Sequence, residues 1–154
     1  MYTGIVLDQK SRQHILKRIE SAARSIRMFG GQSMDIVAHH ITICMGGNSK
    51  KKYPFEEGEV VEFTITHLGW LWGQDLKDKP DNVNDYTQLI MAAKVELPEG
   101  KFIKNKTPHI TLLVNRAAGA KPAWSNKIEE WKPIEDDTVL SGVVQVCNKP
   151  EKSS

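Results

Sequence analysis

The chain has 154 residues with 40% hydrophobic and 26% charged side chains, enough for one domain with its own core and too apolar for a disordered segment. Its net charge of +2 tolerates an anionic ligand but lacks the broad basic stripe that a nucleic-acid polymer demands. No run is long and apolar enough to cross a membrane, and the N-terminus MYTGIVLDQK lacks a signal-peptide pattern, so a soluble, cytoplasmic protein is expected, with residues 1–154 as a single domain.

In chain order, residues 2–8 (YTGIVLD) form a short β-branched run that predicts a first strand. Residues 11–27 change period: Ile15, Leu16, Ile19, Ala22, Ala23 and Ile26 fall at helical spacing, with Ser11 as N-cap and Gly30-Gly31 as the stop. His14 falls on the polar face of this helix and is expected to be exposed. Residues 35–45 read as a buried strand, followed by the loop GGNSKKKYPFEEGE. Residues 59–68 alternate like a strand, and GWLWGQDLKDKPDNVND follows as a loop. Strands are expected at 87–97, 109–114 and 138–147, a short helix or turn at 122–131, and a frayed tail over 148–154. About six strands with one main N-terminal helix, in mixed order, make an α+β protein with largely antiparallel sheets. Cys44 and Cys147 both sit in apolar runs and are expected to be buried free thiols.

The internal echo is the tripeptide His-Ile-Thr, in AHHITICMG and again in PHITLLVN. Side chains alternate along a strand, so His40 and Thr42 share one face, and His109 and Thr111 share another. By the same phase Ile41, Ile43 and Met45 lie on the opposite face, as do Ile110, Leu112 and Val114, and His39 points away from His40. One such pair is ordinary for a strand. Two identical pairs inside strong strands place polar faces where a core prefers aliphatic ones.

If the two strands meet, two imidazoles and two hydroxyls surround one point. That set suits phosphodiester chemistry without a metal. A neutral imidazole takes a proton from an attacking hydroxyl, an imidazolium gives one to the leaving oxygen, and the threonines donate to the non-bridging oxygens. Zinc on His39, His40 and His109 is the alternative, but Cys44 is the only nearby thiolate and no carboxylate has useful spacing, so neither metal nor cofactor is expected. Trp70 and Trp72 are candidate base-stacking residues, the alternative being that they fill the core. Lys50, in the run that follows the first motif, is a candidate phosphate contact, the alternative being a solvated loop. Lys104 and Lys106, before the second motif, stand the same way. Trp124 and Trp131 are expected to pack a short helix down, and Tyr2 and Tyr53 are weaker stacking candidates.

Two His-hydrophobic-Thr motifs on strands of a small α+β protein resemble the two-histidine (2H) phosphoesterase superfamily. The resemblance implies two lobes, each with an antiparallel sheet, facing a central cleft with one motif from each lobe. The motif separation of 69 residues and the segment VNRAAGAKPAWSN are similar to the phage anti-CBASS nucleases. That likeness implies metal-independent cleavage of the 3′–5′ linkages of cyclic di- and trinucleotide signals as a viral counter-defence, with His40, Thr42, His109 and Thr111 as the catalytic set. An RNA 2′,3′-cyclic or 2′,5′-oligonucleotide phosphodiesterase and a nucleotide-sequestering module are the alternatives.

Overall fold

The structure is a computed structural model that describes residues 1–28, 34–48 and 52–148, with helix side chains described to residue 21. Lys50, the Gly30-Gly31 stop and the tail beyond 148 lie outside the described residues. The protein is α+β, with one eight-stranded antiparallel sheet and one main helix. The elements are β1 (Tyr2–Leu7), α1 (Gln9–Met28), β2 (Asp35–Ile36), β3 (His40–Met45), β4 (Val60–Trp72), β5 (Gln88–Glu96), β6 (His109–Val114), β7 (Trp131–Pro133) and β8 (Leu140–Cys147). No helix among the described residues is long and apolar enough to cross a membrane.

The N-cap of α1 is Asp8 rather than Ser11. The Ser11 N–H donates to Asp8 Oδ1 at 2.7 Å, as a cap at this position should receive it. Ser11 lies in the first turn, where its hydroxyl accepts from the Ser141 N–H at 2.8 Å and ties the helix start to β8. Ile15 and Ile19 are the buried stripe of the helix, as their spacing requires. His14 is not a free surface residue: its Nε2 lies 2.8 Å from Asp136 Oδ2, which also accepts from Arg18 Nε at 2.9 Å.

The strand order β2-β6-β3-β1-β8-β4-β5 is closed by a further pairing of β6 with β5. The long strand β4 explains how seven of the eight strands divide, the two-residue β2 being an addition to β6. Its first residues, Val60–Phe63, pair with β8, and its later ones, Thr64–Trp72, pair with β5. Two four-stranded halves result, β3-β1-β8-β4 and β6-β5-β4-β7, sharing β4 and each carrying a His-Ile-Thr strand at its end. The expected strand at 59–68 thus runs on to Trp72. The 122–131 region divides into a 3-10 helix at Pro122–Lys127 and then β7, whose residues lie against His67–Gly69.

The halves match in fine register. On β1 and β3, Gly4 lies opposite Thr42 and Thr3 opposite Cys44, so Ile43 is an extra residue. On β5 and β6, Ala92 lies opposite Thr111 and Met91 opposite Leu113, so Leu112 is an extra residue. Each motif is therefore followed at once by a β-bulge, which re-aims the strand. The bulges also overturn simple alternation beyond the motifs. Cys44 and Leu113 are buried, whereas Met45 is 51% exposed instead of facing the core with Ile41 and Ile43. Cys147, expected to be buried, is half-buried at the end of β8.

Candidate active site

The residues expected to carry chemistry meet in one cavity. His40, Thr42, His109 and Thr111 all line an open space of about 1050 Å³. The two motif strands pair directly, antiparallel, with Ile41 against Ile110. Both isoleucines are fully buried, which commits the flanking histidines and threonines to the other side.

The approach to this pair is irregular. Asp35 pairs with Val114 and Ile36 with Leu113, and the same register continues as the Val37 N–H donates to the Leu112 carbonyl and the Ala38 N–H to the Thr111 carbonyl. The next pair is Ile41 with Ile110. Two residues, His39 and His40, therefore have no counterpart on β6 and are displaced from the ladder. This corrects the expected continuous strand over 35–45 and the orientation of His39. Alternation requires an unbroken strand, and here the strand starts afresh at His40. His39 lines the cavity, its Nδ1 3.0 Å from His40 Nδ1 and its ring edge-on at 5.2 Å between centroids.

Backbone strain marks the start of the displacement. Ala38 has φ of +41°, a region that residues with a Cβ rarely adopt, at a cost of roughly 1–3 kcal/mol. Its fully buried methyl, its bond to Thr111 and a bond from Arg12 hold it there. Arg12 Nε, on α1, donates to the Ala38 carbonyl at 3.1 Å. Arg12 and Ala38 are thus supporting residues that the sequence did not mark, because a strained alanine has no compositional signature.

His40 is contacted on both nitrogens. The Tyr2 ring stacks on it at 4.4 Å, the Tyr2 hydroxyl is 3.3 Å from Nδ1, and Thr42 Oγ1 is 3.0 Å from Nε2. Tyr2 is buried, and burial pushes its hydroxyl pKa well above the ordinary value, so it remains a neutral phenol. Burial, then the neighbouring His39 and His109, lower the His40 pKa from 6.5 to about 4. His109 Nδ1 donates to the Thr107 carbonyl at 2.9 Å, since a carbonyl can only accept, and this leaves Nε2 as the free nitrogen. Burial lowers the His109 pKa too, and the Thr107 carbonyl partly opposes it. Thr111 Oγ1 lies 2.7 Å from the hydroxyl of Ser125, which is buried in the 3-10 helix. With Ser125 donating, the Thr111 proton is directed to the Pro122 carbonyl at a long 3.5 Å, a contact that a ligand oxygen would replace.

The wall is electropositive. Lys104, Arg116 and Lys121 line it, and no carboxylate does among the described residues, although Arg116 Nε lies 3.9 Å from Asp35 Oδ2. Lys104 is fixed beside the first motif by its backbone N–H, which donates to the carbonyl of the bulge residue Ile43 at 3.0 Å. Carboxamides supply the remaining polarity: Asn105 and Asn126, hydrogen-bonded to each other, with Gln145 and Asn148. Lys106 is not among the lining residues. Trp70 and Trp72 are not brought to the cavity either: Trp70 lies across from Met91 and packs on the main core, and Trp72 ends β4 at a register shift. Trp131 stands beside the second motif, its ring 6.3 Å from that of His109. Among the described residues no group of three or more His, Cys, Asp and Glu side chains has an arrangement that would hold a metal ion.

No family model, curated protein or solved structure matches the chain.

Proposed function

We propose that the protein is a metal-independent phosphodiesterase of the two-histidine type, acting on a small cyclic oligonucleotide in the cytoplasm, as a viral counter-defence enzyme would. The observation that carries this reading is the convergence of both His-Ile-Thr pairs on one cavity whose charged wall is entirely cationic among the described residues. The two four-stranded halves, each with a motif strand at its end, support the two-lobed arrangement of that superfamily. At about 1050 Å³ the cavity is at the upper end of small-ligand sites, a size suited to two linked nucleotides. Cations meet the phosphates, and carboxamides offer the paired donor and acceptor that a nucleobase edge needs.

In the reaction, one imidazole removes the proton of the ribose 2′-hydroxyl. The oxygen attacks phosphorus, and the P–O5′ bond breaks as the other imidazole protonates the leaving oxygen. The product carries a 2′,3′-cyclic phosphate. Thr42 and Thr111 donate to the non-bridging oxygens, and losing one such donor costs about 2.7–4 kcal/mol of transition-state stabilisation.

The test is incubation with cyclic di- and trinucleotides and linear oligonucleotides, with products read by mass. Cyclic substrates should open, a 2′-deoxy substrate should resist, and chelators should leave the rate unchanged. His40→Ala and His109→Ala should each abolish turnover without loss of fold. Full activity in either variant sinks the mechanism. Faster turnover of linear RNA ends redirects the reading to RNA repair.

A further inference from the structure

His39 lies against His40 but outside the repeated tripeptide, and the second motif has no counterpart, because Pro108 precedes His109. Two imidazole nitrogens 3.0 Å apart attract only when one carries a proton and the other a lone pair. If His39 were the donor, the His40 proton would sit on Nε2, and that nitrogen could not accept a proton from a substrate hydroxyl. If His40 Nδ1–H is the donor, Nε2 keeps its lone pair, which accepts from the Thr42 hydroxyl at 3.0 Å until a substrate hydroxyl takes that place and Thr42 turns its proton to a non-bridging oxygen. The neighbours favour the second arrangement. The Tyr2 oxygen, 3.3 Å from the same Nδ1, has a lone pair that can take a share of that proton.

Resting on the phosphodiesterase reading above, we propose that His39 is a positioning residue that accepts the Nδ1–H of His40, so that His40 Nε2 is the general base and His109 Nε2 the general acid. The groups around His40 support this division. It faces His39 on its own segment, His109 on β6, Tyr2 on β1 and Cys147 on β8, with Lys104, Arg116 and Lys121 on the same wall. None of these is a carboxylate, and the Asp35 carboxylate beyond them is paired with Arg116 at 3.9 Å, so an added positive charge on His40 has no partner among them. Burial, then the charge of Arg12, lowers the His39 pKa as well. His109 has the opposite environment at Nδ1, where a carbonyl 2.9 Å away stabilises the imidazolium. The proton count closes: His40 gains the 2′-hydroxyl proton, His109 loses one to the departing O5′, and exchange with water restores both.

The test compares the native protein with His39→Ala and His39→Asn. Asparagine keeps an acceptor oxygen but cannot become charged. Nitrogen-15 NMR of the substrate-free protein should show His40 protonated on Nδ1 in the native and His39→Asn forms. In His39→Ala the tautomers should mix, and the His40 titration should move upward from its depressed position. With substrate, kcat of His39→Ala should fall about 10- to 100-fold with KM unchanged. The acid limb of its pH profile should move up with the His40 titration, and His39→Asn should recover most of the rate. An Nε2-protonated His40 in the native protein, or a titration unmoved in His39→Ala, overturns the proposal. The NMR result stands apart from turnover: absence of cleavage with every nucleotide would overturn the phosphodiesterase reading while the tautomer still decides the role of His39.

Discussion

Ile41 of β3 pairs with Ile110 of β6, and both side chains are fully buried on the side away from the cavity. The strands run antiparallel and each reads His-Ile-Thr. Each histidine therefore flanks the isoleucine pair on the side where the other strand has its threonine. One apolar contact thus anchors four polar side chains. Ile110→Ala should cost about 2–5 kcal/mol, and Ile110→Val about 0.5–1.5 kcal/mol, by urea unfolding. The valine variant should keep its fold, and its loss of activity should be small beside that of the alanine variant. If the alanine variant loses less than 1 kcal/mol, the pair is not the anchor.

Gly4 lies opposite Thr42 and Ala92 opposite Thr111, at equivalent places in the two halves. The difference is His40. A Cβ on Gly4 would stand 3.3 Å from His40 Cδ2 and 3.1 Å from the Ile41 carbonyl, tighter than ordinary contact. Gly4→Ala should displace the imidazole from Tyr2 and Thr42, lowering kcat by roughly 100-fold for a shift near 1 Å. A chemical-shift change centred on His40, with circular dichroism unchanged, would verify it. An unaltered rate would mean that the ring tolerates the crowding.

The equivalence of the halves was legible in the sequence only as the repeated tripeptide. The phase of His40 with Thr42 and of His109 with Thr111 followed from strand alternation, because those residues lie between the irregularities. His39 and Met45 did not follow it. The first lies in a displaced pair of residues and the second beyond a bulge, and the extra residues themselves (His39, His40 and Ile43) include no Gly or Pro to announce them. β7 was also hidden, since Trp131–Pro133 is too short to show a period and exists by pairing with β4. The cationic wall depends on Arg116 and Lys121, which only tertiary structure brings to the motifs.

Asp136 fastens the segment before β8 to α1. Its carboxylate is 4% exposed and meets His14 Nε2, Arg18 Nε and the Thr138 N–H. Burial alone would raise its pKa, but the hydrogen bonds of His14, Thr138 and Arg18 outweigh it and hold the carboxyl well below the usual range. Asp136→Ala removes the acceptor of the Arg18 guanidinium, a charged donor, and should cost about 1.5–3 kcal/mol. Asp136→Asn should cost less, because its amide oxygen still accepts. The comparison is made in thermal melts at neutral pH, where equal melting temperatures for both variants and the native protein would refute the clamp.

Acid should weaken the fold through the histidines before it reaches the carboxylates. The His40 pKa falls from 6.5 to about 4 on folding, and those of His39 and His109 fall as well, burial being the main cause for each. The unfolded chain therefore binds more protons than the native one in this window, and stability rises with pH there. The contribution is fully present above about 6.5 and is lost as pH falls toward 4. Asp8 and Asp136, with lowered pKa values, lose their contribution only below the ordinary carboxylate range. Urea midpoints measured from pH 7.5 to 4 should decline through this interval, and His40→Asn should flatten the decline. A native midpoint that stays constant down to pH 4, or an equal slope in the variant, would show that the imidazoles are not held neutral by the cavity.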